Sequence, residues 1–161
     1  MSYVDLHVHS NASDGTLSPE QVVHLAHEAG LSAIALTDHD TTAGVAGAAE
    51  AGAELGLEVV PGIEVSSSFK DHEIHILGLF VDTDSPSLQA ALKEFRQHRD
   101  QRNQEMLKRF DAHGIHLTAE ELCAGNPDTV ITRAHVARAL LAKGLGPDLD
   151  HIFKKYLKYG G

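Results

Sequence analysis

The sequence is poor in the residue types that mark several classes of protein. It has one cysteine, Cys123, and no tryptophan in 161 residues, which excludes an intrachain disulfide and a cysteine-based zinc site. Any bound metal must therefore be held by nitrogen and oxygen ligands. No apolar run is long enough to span a bilayer, and residues 1–7 lack the basic and apolar regions of a signal peptide. We therefore expect a cytoplasmic protein that makes no membrane contact.

Positive charge is also scarce. Thirteen lysines and arginines stand against 23 aspartates and glutamates, for a formal net charge of -10. This balance argues against a broad surface that tracks DNA or RNA, because anions attract anions poorly. Divalent cations held by the acidic groups would invert the local field and make a small anionic substrate a natural ligand. The 12 histidines outnumber the phenylalanines and tyrosines together, and histidine is the commonest metal ligand.

The first 80 residues alternate between strand and helix patterns. Four strands are predicted, at residues 4–9, 32–36, 57–65 and 72–80. A capping box of Ser18 and Gln21 predicts a helix that ends at Gly30, and an alanine-rich helix is predicted at 42–55. This order predicts an α/β fold with a parallel core, in which catalytic groups gather at the C-terminal ends of the strands.

From residue 85 onward the pattern is entirely helical. Three helices are predicted, at residues 86–113, 133–143 and 149–159. Thr118 and Glu121 form a second capping box between the first two. We therefore predict a boundary that separates an N-terminal α/β part, 1–84, from an all-helical part, 85–161.

Potential ligands follow the first predicted strand. His7 and His9 are two residues apart, so both imidazoles leave the same face of the strand about 7 Å from each other. Asp14 lies on the loop that follows. The three side chains can share one metal or bracket two. A coincidental pair of histidines in a histidine-rich chain is the alternative interpretation.

Further candidates occupy the next strands and loops. His39 follows the second predicted strand, and Asp38 beside it is a candidate to fix the tautomer of its imidazole. Glu64 and His75 fall in apolar strands, where an unpaired charge is unfavourable and a metal would remove the penalty. The alternative for Asp38 and His39 is a helix-capping turn with a solvent-facing histidine. The alternative for Glu64 and His75 is a structural role in the core or at the surface, with the polar atoms hydrogen-bonded.

The motifs H-x-H, S-D-G, T-D-H-D, P-G-I-E and H-I-L-G, in this order and spacing, resemble the PHP (polymerase and histidinol phosphatase) family over about residues 4–80. The resemblance implies the N-terminal part of a distorted, TIM-like βα barrel with a helical insertion. It also implies two or three divalent metal ions (Mn, Zn or Fe) at the C-terminal rim. The implied ligands are His7 and His9 for a first metal, Glu64 as a bridge to a second at His75, and Asp14 with His39 for a third.

The helical part resembles one branch of that family, the nucleoside 3',5'-bisphosphate phosphatases and 5'-3' exoribonucleases. The segment Thr132-Arg133-Ala134-His135 carries this resemblance. It implies that Arg133, and secondarily His135, contact a substrate phosphate. Capping or solvation of a helix start is the alternative for both. Arg99 and Arg102 are weaker candidates, since a charge on a long helix usually faces water.

The activity implied is hydrolysis of a phosphate ester by a metal-bound hydroxide. The expected substrate is a small anionic nucleotide-type molecule, such as a nucleoside 3',5'-bisphosphate or a short 5'-phosphorylated oligonucleotide. Asp14, His39 and Asp40 are the catalytic candidates, and Asp40 or a histidine at the rim is the candidate to donate a proton to the leaving oxygen. The alternatives are another PHP activity, of the histidinol-phosphate phosphatase or polymerase-associated nuclease type, and a truncated, non-catalytic metal-binding or interaction module.

The family pattern also includes later strands with an Ala-His-Pro motif and an Asp-x-His pair, which residues 1–161 do not contain. Half a barrel would leave strand edges and apolar surface uncovered. We therefore expect a further C-terminal segment or a partner chain to complete the barrel.

Overall fold

The computed structural model describes residues 3–70, 72–123 and 126–157. Its sheet has four strands in sequence order: β1 (Tyr3–Val8), β2 (Leu31–Leu36), β3 (Glu58–Phe69) and β4 (His72–Leu79). β1, β2 and β3 are parallel, which confirms the parallel core, whereas β4 runs antiparallel to β3. Only residues 70 and 71 separate β3 from β4. A parallel pair needs a crossover of a dozen or more residues, so this connection permits only a hairpin.

Two helices cover one face of the parallel strands. α1 (Pro19–Glu28) begins at the predicted capping box, with both the Ser18 and the Gln21 hydrogen bonds present, and α2 (Val45–Leu55) follows Gly44. Ile34 and Leu36 of β2 are fully buried beneath them. The core of this part consists of Val22, Val23, Ala26, Ile34, Leu36, Ala48, Ala51 and Leu57. It fixes the C-terminal ends of β1, β2 and β3 at one rim.

The remaining helices form a second core. Their bounds are α3 (Pro86–Ala112), α4 (Ala119–Cys123), α5 (Arg133–Ala142) and α6 (Leu149–Ile152), which continues as a π-helix (Phe153–Leu157). The capping box of Thr118 and Glu121 is present. The buried residues that these helices share are Phe110, Leu122, Val136, Ala137, Leu140, Ile152 and Leu157. The end of the helix predicted at 149–159 lies outside the described residues, and the boundary at residue 84 stays a prediction.

The helical part is tied to the loop that follows β1. Asn126 Nδ2 donates to the carbonyl of Asn11 at 3.0 Å, and Thr129 Oγ1 donates to the carbonyl of Ser13 at 2.9 Å. Arg138 donates to the carbonyl of Asp14 at 2.6 Å. These bonds fix the loop that carries the first candidate ligands.

The outer strands leave apolar side chains exposed. Tyr3, Val4 and Leu6 of β1 are exposed, as are Ile74 and Ile76 of β4. Among residues 3–70, 72–123 and 126–157, no helix combines the length and the apolar character needed to cross a bilayer.

Candidate metal centre

Six side chains from four segments of the chain meet at the C-terminal rim of the sheet. They are His7, His9, Asp14, His39, Glu64 and His75. They form three overlapping triplets, in each of which the ligand atoms lie within 4.8 Å of one another: His7, His9 and Glu64; His9, Asp14 and His39; His39, Glu64 and His75. The structure thus brings together every residue that the sequence predicted as a metal ligand.

Glu64 occupies the middle of the cluster. One carboxylate oxygen, Oε2, lies 3.0 Å from Nε2 of His7 and 2.9 Å from Nε2 of His9. The other, Oε1, lies 2.6 Å from Nδ1 of His75. Its backbone is fixed as well, because the N–H of Glu64 donates to the carbonyl of Asp38 and its carbonyl accepts from the N–H of Asp40. A carboxylate that is 4% exposed is stable only with such compensation.

Asp14 and His39 form the other end of the cluster. Oδ1 of Asp14 lies 3.2 Å from Nδ1 of His9, and Oδ2 lies 3.5 Å from Nε2 of His39. Within the described part of the chain, Nδ1 of His39 is buried without a hydrogen-bond partner, 3.6 Å from Oε2 of Glu64. A buried polar atom without a partner is unfavourable. A cation between His39 and Glu64 would provide one.

The cluster shifts the protonation of its own members. Burial has the largest effect on Asp14 and would raise its pKa, but hydrogen bonds and charges from His39 and His9 hold the pKa of Asp14 far below its usual range. The pKa of Glu64 is lowered in the same way, against burial, by His7, His39 and His75. Burial lowers the pKa of His9, yet the carboxylates of Asp14 and Glu64 outweigh it and raise that pKa overall.

These donors fit divalent metal ions. Imidazole nitrogens and carboxylate oxygens are the ligands of Mn, Fe and Zn in proteins. The carboxylates of Asp14 and Glu64 favour the ionised form that a metal requires. The unpartnered nitrogen of His39 and the shared position of Glu64 are both explained by bound cations.

Asp38 has a different position from the one predicted. Its carboxylate accepts hydrogen bonds from the N–H of Ser10 at 2.8 Å, from Ser10 Oγ at 2.6 Å and from Ser13 Oγ at 2.6 Å. It therefore does not orient the imidazole of His39. Instead it fixes the loop between His9 and Asp14 from a fully buried position.

Asp40, one of the candidate proton donors, is buried in the segment between β2 and α2. Its backbone adopts a left-handed conformation with φ of 51°. Its carboxylate accepts hydrogen bonds from Arg99 and, at 2.9 Å, from the N–H of Ser66. Both oxygens are engaged, so the prediction that Asp40 donates a proton to the leaving group does not fit its contacts. Arg99 was expected to face water, and it is instead 8% exposed.

A cavity of about 170 Å³ opens beside the cluster. Asp14, His39 and His75 line it together with Arg99, Arg102 and Arg133. Arg133 forms an ion pair with Glu73, whose Oε1 lies 3.3 Å from Nε2 of His75. Arg133 therefore lies on the wall of this cavity, next to a residue that contacts His75.

His135 has the alternative role that we considered for it. Its Nδ1 accepts the N–H of Thr132 at 3.0 Å, and Thr132 Oγ1 accepts the N–H of Ala134, so the two residues cap α5. Burial and the charge of Arg138 lower the pKa of His135. Thr132 also donates to Oδ2 of Asp14 at 3.4 Å. The contacts of His135 are those of a capping residue, not of a phosphate ligand.

Sequence reasoning missed Glu73, Ser66 and Thr132, which all line the cavity. A signal for Glu73 was available. It lies two residues before His75 on the same strand, and the alternation of a strand places both on one face.

A model of the PHP domain family matches residues 5–161. The chain is 40% identical over 162 residues to the 3',5'-nucleoside bisphosphate phosphatase of Chromobacterium violaceum, covering 99% of this chain and 56% of that protein. It is also 40% identical over 161 residues to the 5'-3' exoribonuclease Rnm of Escherichia coli, covering 97% of this chain and 54% of that protein. The chain thus spans about half the length of the curated relatives it matches.

Two solved structures superimpose closely. An amidohydrolase from Chromobacterium violaceum, solved with bound sulfate and no metal, has a TM-score of 0.90 at 40% identity and covers 98% of this chain and 56% of that one. A protein from Bifidobacterium adolescentis named as a metal-dependent phosphoesterase has a TM-score of 0.90 at 30% identity and covers 99% and 57%. These matches confirm the predicted fold, a partial TIM-like α/β barrel with helices appended.

Proposed function

Because the chain belongs to the PHP domain family, as the motifs of its first 80 residues predicted, we propose that it hydrolyses phosphate esters with the help of two or three divalent cations. The observation that supports this most strongly is the convergence of four histidines with the carboxylates of Asp14 and Glu64. Such a cluster beside an arginine-lined cavity suits an anionic substrate despite the acidic composition of the chain.

The names of the relatives support a nucleotide-type substrate. One acts on nucleoside 3',5'-bisphosphates and another is an exoribonuclease. We propose that this chain acts on a nucleoside 3',5'-bisphosphate or on a short 5'-phosphorylated oligonucleotide. The free thiol of Cys123 suits a reducing compartment, and we propose the cytoplasm.

The three triplets indicate which residues would hold the metals. His7, His9 and Glu64 form one set, and Glu64 joins it to His39 and His75. Asp14 with His9 and His39 forms the third. Divalent cations in such a site bring the pKa of water toward neutrality and stabilise charge on phosphate oxygens. Nitrogen and oxygen donors of this kind suit Mn, Zn or Fe.

The residues of the chain have separate tasks in this proposal. Arg133 would exchange its partner Glu73 for a phosphate oxygen and orient the substrate, since its planar guanidinium suits two parallel hydrogen bonds. Asp14 and His39 face the cavity and are the candidates to position the reacting groups. Asp38 and Asp40 have supporting roles. Asp38 fixes the loop between His9 and Asp14, and Asp40 fixes Arg99.

The test is hydrolysis by the full-length protein with manganese present, followed as release of inorganic phosphate from the phosphomonoesters and as release of nucleoside monophosphate from the RNA. The substrates are adenosine 3',5'-bisphosphate, a short 5'-phosphorylated RNA and histidinol phosphate. His9→Ala is compared with His24→Ala, which changes an exposed histidine of α1. We expect His9→Ala to abolish release from the two nucleotide substrates and His24→Ala to preserve it. Equal release by wild type and His9→Ala would exclude the proposed site.

A further inference from the structure

A second cavity, of about 430 Å³, lies between α3 and the π-helix. Arg102 and Arg133 line both this cavity and the smaller one at the metal centre. These two arginines therefore stand where the cavities meet. Arg133 and His75 both contact the carboxylate of Glu73. A ligand that extends from the metal centre past Arg133 would enter the larger cavity.

The larger cavity concentrates positive charge in an acidic chain. Four of the 13 lysines and arginines line it, namely Arg102, Arg109, Arg133 and Lys155, against a single acidic residue, Glu105. Other cations nearby are already paired, such as Lys154 with Asp150. Within residues 3–70, 72–123 and 126–157, Arg109 and Lys155 form no ion pair with a carboxylate. This wall is therefore complementary to an anion.

The rest of the lining is apolar and partly aromatic. Phe110 and Tyr156 contact each other with ring centroids 6.5 Å apart, and Met106 lies beside them in the lining. Nζ of Lys155 lies 4.8 Å from the centroid of the Tyr156 ring. Flat apolar groups with a cation at the edge are typical of sites that stack a nucleobase and hold the adjoining phosphate. The cavity volume lies within the usual range for small-molecule sites.

We propose that this cavity binds the nucleoside and the second phosphate of a substrate whose first phosphate lies at the metal centre. Arg109 and Lys155 bind the second phosphate, and the surface formed by Met106, Phe110 and Tyr156 receives the base. The inference rests on the proposed function for the identity of the first phosphate. A nucleoside 3',5'-bisphosphate and a 5'-phosphorylated dinucleotide share the required chemistry, a base flanked by two phosphates.

Equilibrium binding to the full-length protein in EDTA tests the assignment without any turnover. Arg109→Gln/Lys155→Gln is compared by calorimetry with Lys108→Gln/Lys154→Gln, which removes the neighbouring cations that do not line the cavity. The ligands are adenosine 3',5'-bisphosphate, 5'-phosphorylated diadenylate and inorganic phosphate. We expect the first variant to bind both nucleotides about tenfold more weakly, because two charge-assisted hydrogen bonds are lost. Inorganic phosphate offers no base to the apolar lining, so it should bind wild type more weakly than either nucleotide and should also lose affinity in Arg109→Gln/Lys155→Gln.

Equal weakening by the two double variants would overturn the assignment, since it would reflect general surface charge. An affinity unchanged for both nucleotides in Arg109→Gln/Lys155→Gln, or no binding of either nucleotide by wild type, would also overturn it. Weakening for the dinucleotide alone would support the cavity as a site for the second nucleotide of an oligonucleotide. If wild type binds through Arg109 and Lys155 but hydrolyses neither nucleotide with manganese, the proposed function fails and the cavity assignment stands.

Discussion

Nε2 of His9 lies 2.9 Å from Oε2 of Glu64. His9 follows β1 and Glu64 lies in β3, and β2 stands between these two strands in the sheet. Side chains from strands that are not neighbours meet here because the sheet curls toward a barrel. The same oxygen of Glu64 lies 3.0 Å from His7. Glu64 is thus the common contact of residues that are otherwise held by different strands.

Glu64→Gln should weaken manganese binding by the full-length protein by more than about tenfold. Loss of a residue that only hydrogen-bonds to a metal ligand already weakens binding by about tenfold or more, and loss of a ligand itself should cost at least as much. The amide removes the negative charge and one of the two oxygens that the histidines share. Calorimetric titration of the metal-free protein measures the change. Glu58→Gln, on the exposed start of β3, is the matched control. Identical manganese affinities for the two variants would show that Glu64 is not a ligand.

Asp38→Asn should lower the free energy of unfolding by about 1–3 kcal/mol, because buried donors from Ser10 and Ser13 lose an ionised acceptor. Urea unfolding of the metal-free protein measures this. Asp82→Asn changes an exposed carboxylate that accepts the N–H of Asp84 and should alter stability little. Equal stability of Asp38→Asn and wild type would mean that the loop does not depend on this carboxylate.

Arg99→Leu should destabilise the protein by about 3–5 kcal/mol, since it leaves the carboxylate of Asp40 buried and unpaired. The double variant Asp40→Asn/Arg99→Leu should be more stable than Arg99→Leu alone, because the isolated charge is gone. A double-mutant cycle by urea unfolding measures the coupling. Additive effects of the two changes would contradict a buried ion pair.

His135→Gln should change how stability depends on pH. The folded protein lowers the pKa of His135 from its ordinary value of 6.5, so below that value the unfolded chain takes up a proton that the folded chain excludes. Stability from this source is present above pH 6.5 and falls as the pH falls toward the folded pKa. Gln at the same capping position does not titrate. The unfolding free energy of the variant should therefore fall less between pH 7.5 and 5.5 than that of wild type, whereas the exposed His24→Gln control should follow wild type. Parallel curves for wild type and His135→Gln would contradict the burial of a neutral imidazole.

Gly15→Ala should weaken both manganese binding and stability. A Cβ at this position would lie 2.5 Å from the carbonyl oxygen of His9, so the backbone of the ligand-bearing loop would have to move. Gly47→Ala is the control, because its Cβ would meet only the flexible end of Glu20. Manganese titration and thermal unfolding of both variants measure the effects. An unchanged affinity in Gly15→Ala would show that the loop adapts without displacing His9 or Asp14.

The sequence predicted most of the elements, and the side chains that converge at the rim, for identifiable reasons. The alternation of a strand placed His7 and His9 on one face, and the capping boxes located two helix starts. The direction of β4 was missed, although the two-residue connection after β3 determines it. The burial of Arg99 was also missed, because α3 is polar on most of its surface and its contact with Asp40 spans 59 residues. Such long-range pairing has no local signature in the chain.

The predicted contact of Asp38 with the imidazole of His39 was wrong for a related reason. Adjacency to His39 favoured a contact between neighbours, but successive residues leave an extended segment on opposite sides. Asp38 therefore points toward Ser10 and Ser13, whereas His39 points toward the cavity. The capping role of His135, which was the alternative interpretation, agrees with its position three residues after Thr132, as in the usual capping box.

Any change of length in the hairpin of β3 and β4 ahead of His75 should separate its imidazole from Glu64. Ser66 lies opposite His75 and Glu64 lies opposite Leu77, so both functional residues project from one side of the ribbon. Adding or deleting one residue within β4 ahead of His75 would rotate that imidazole to the outer side and bring an isoleucine inward. A two-residue change would restore the side but displace the ring by about 7 Å along the strand. Related chains that vary here should therefore either preserve this spacing or recruit their nitrogen donor from elsewhere.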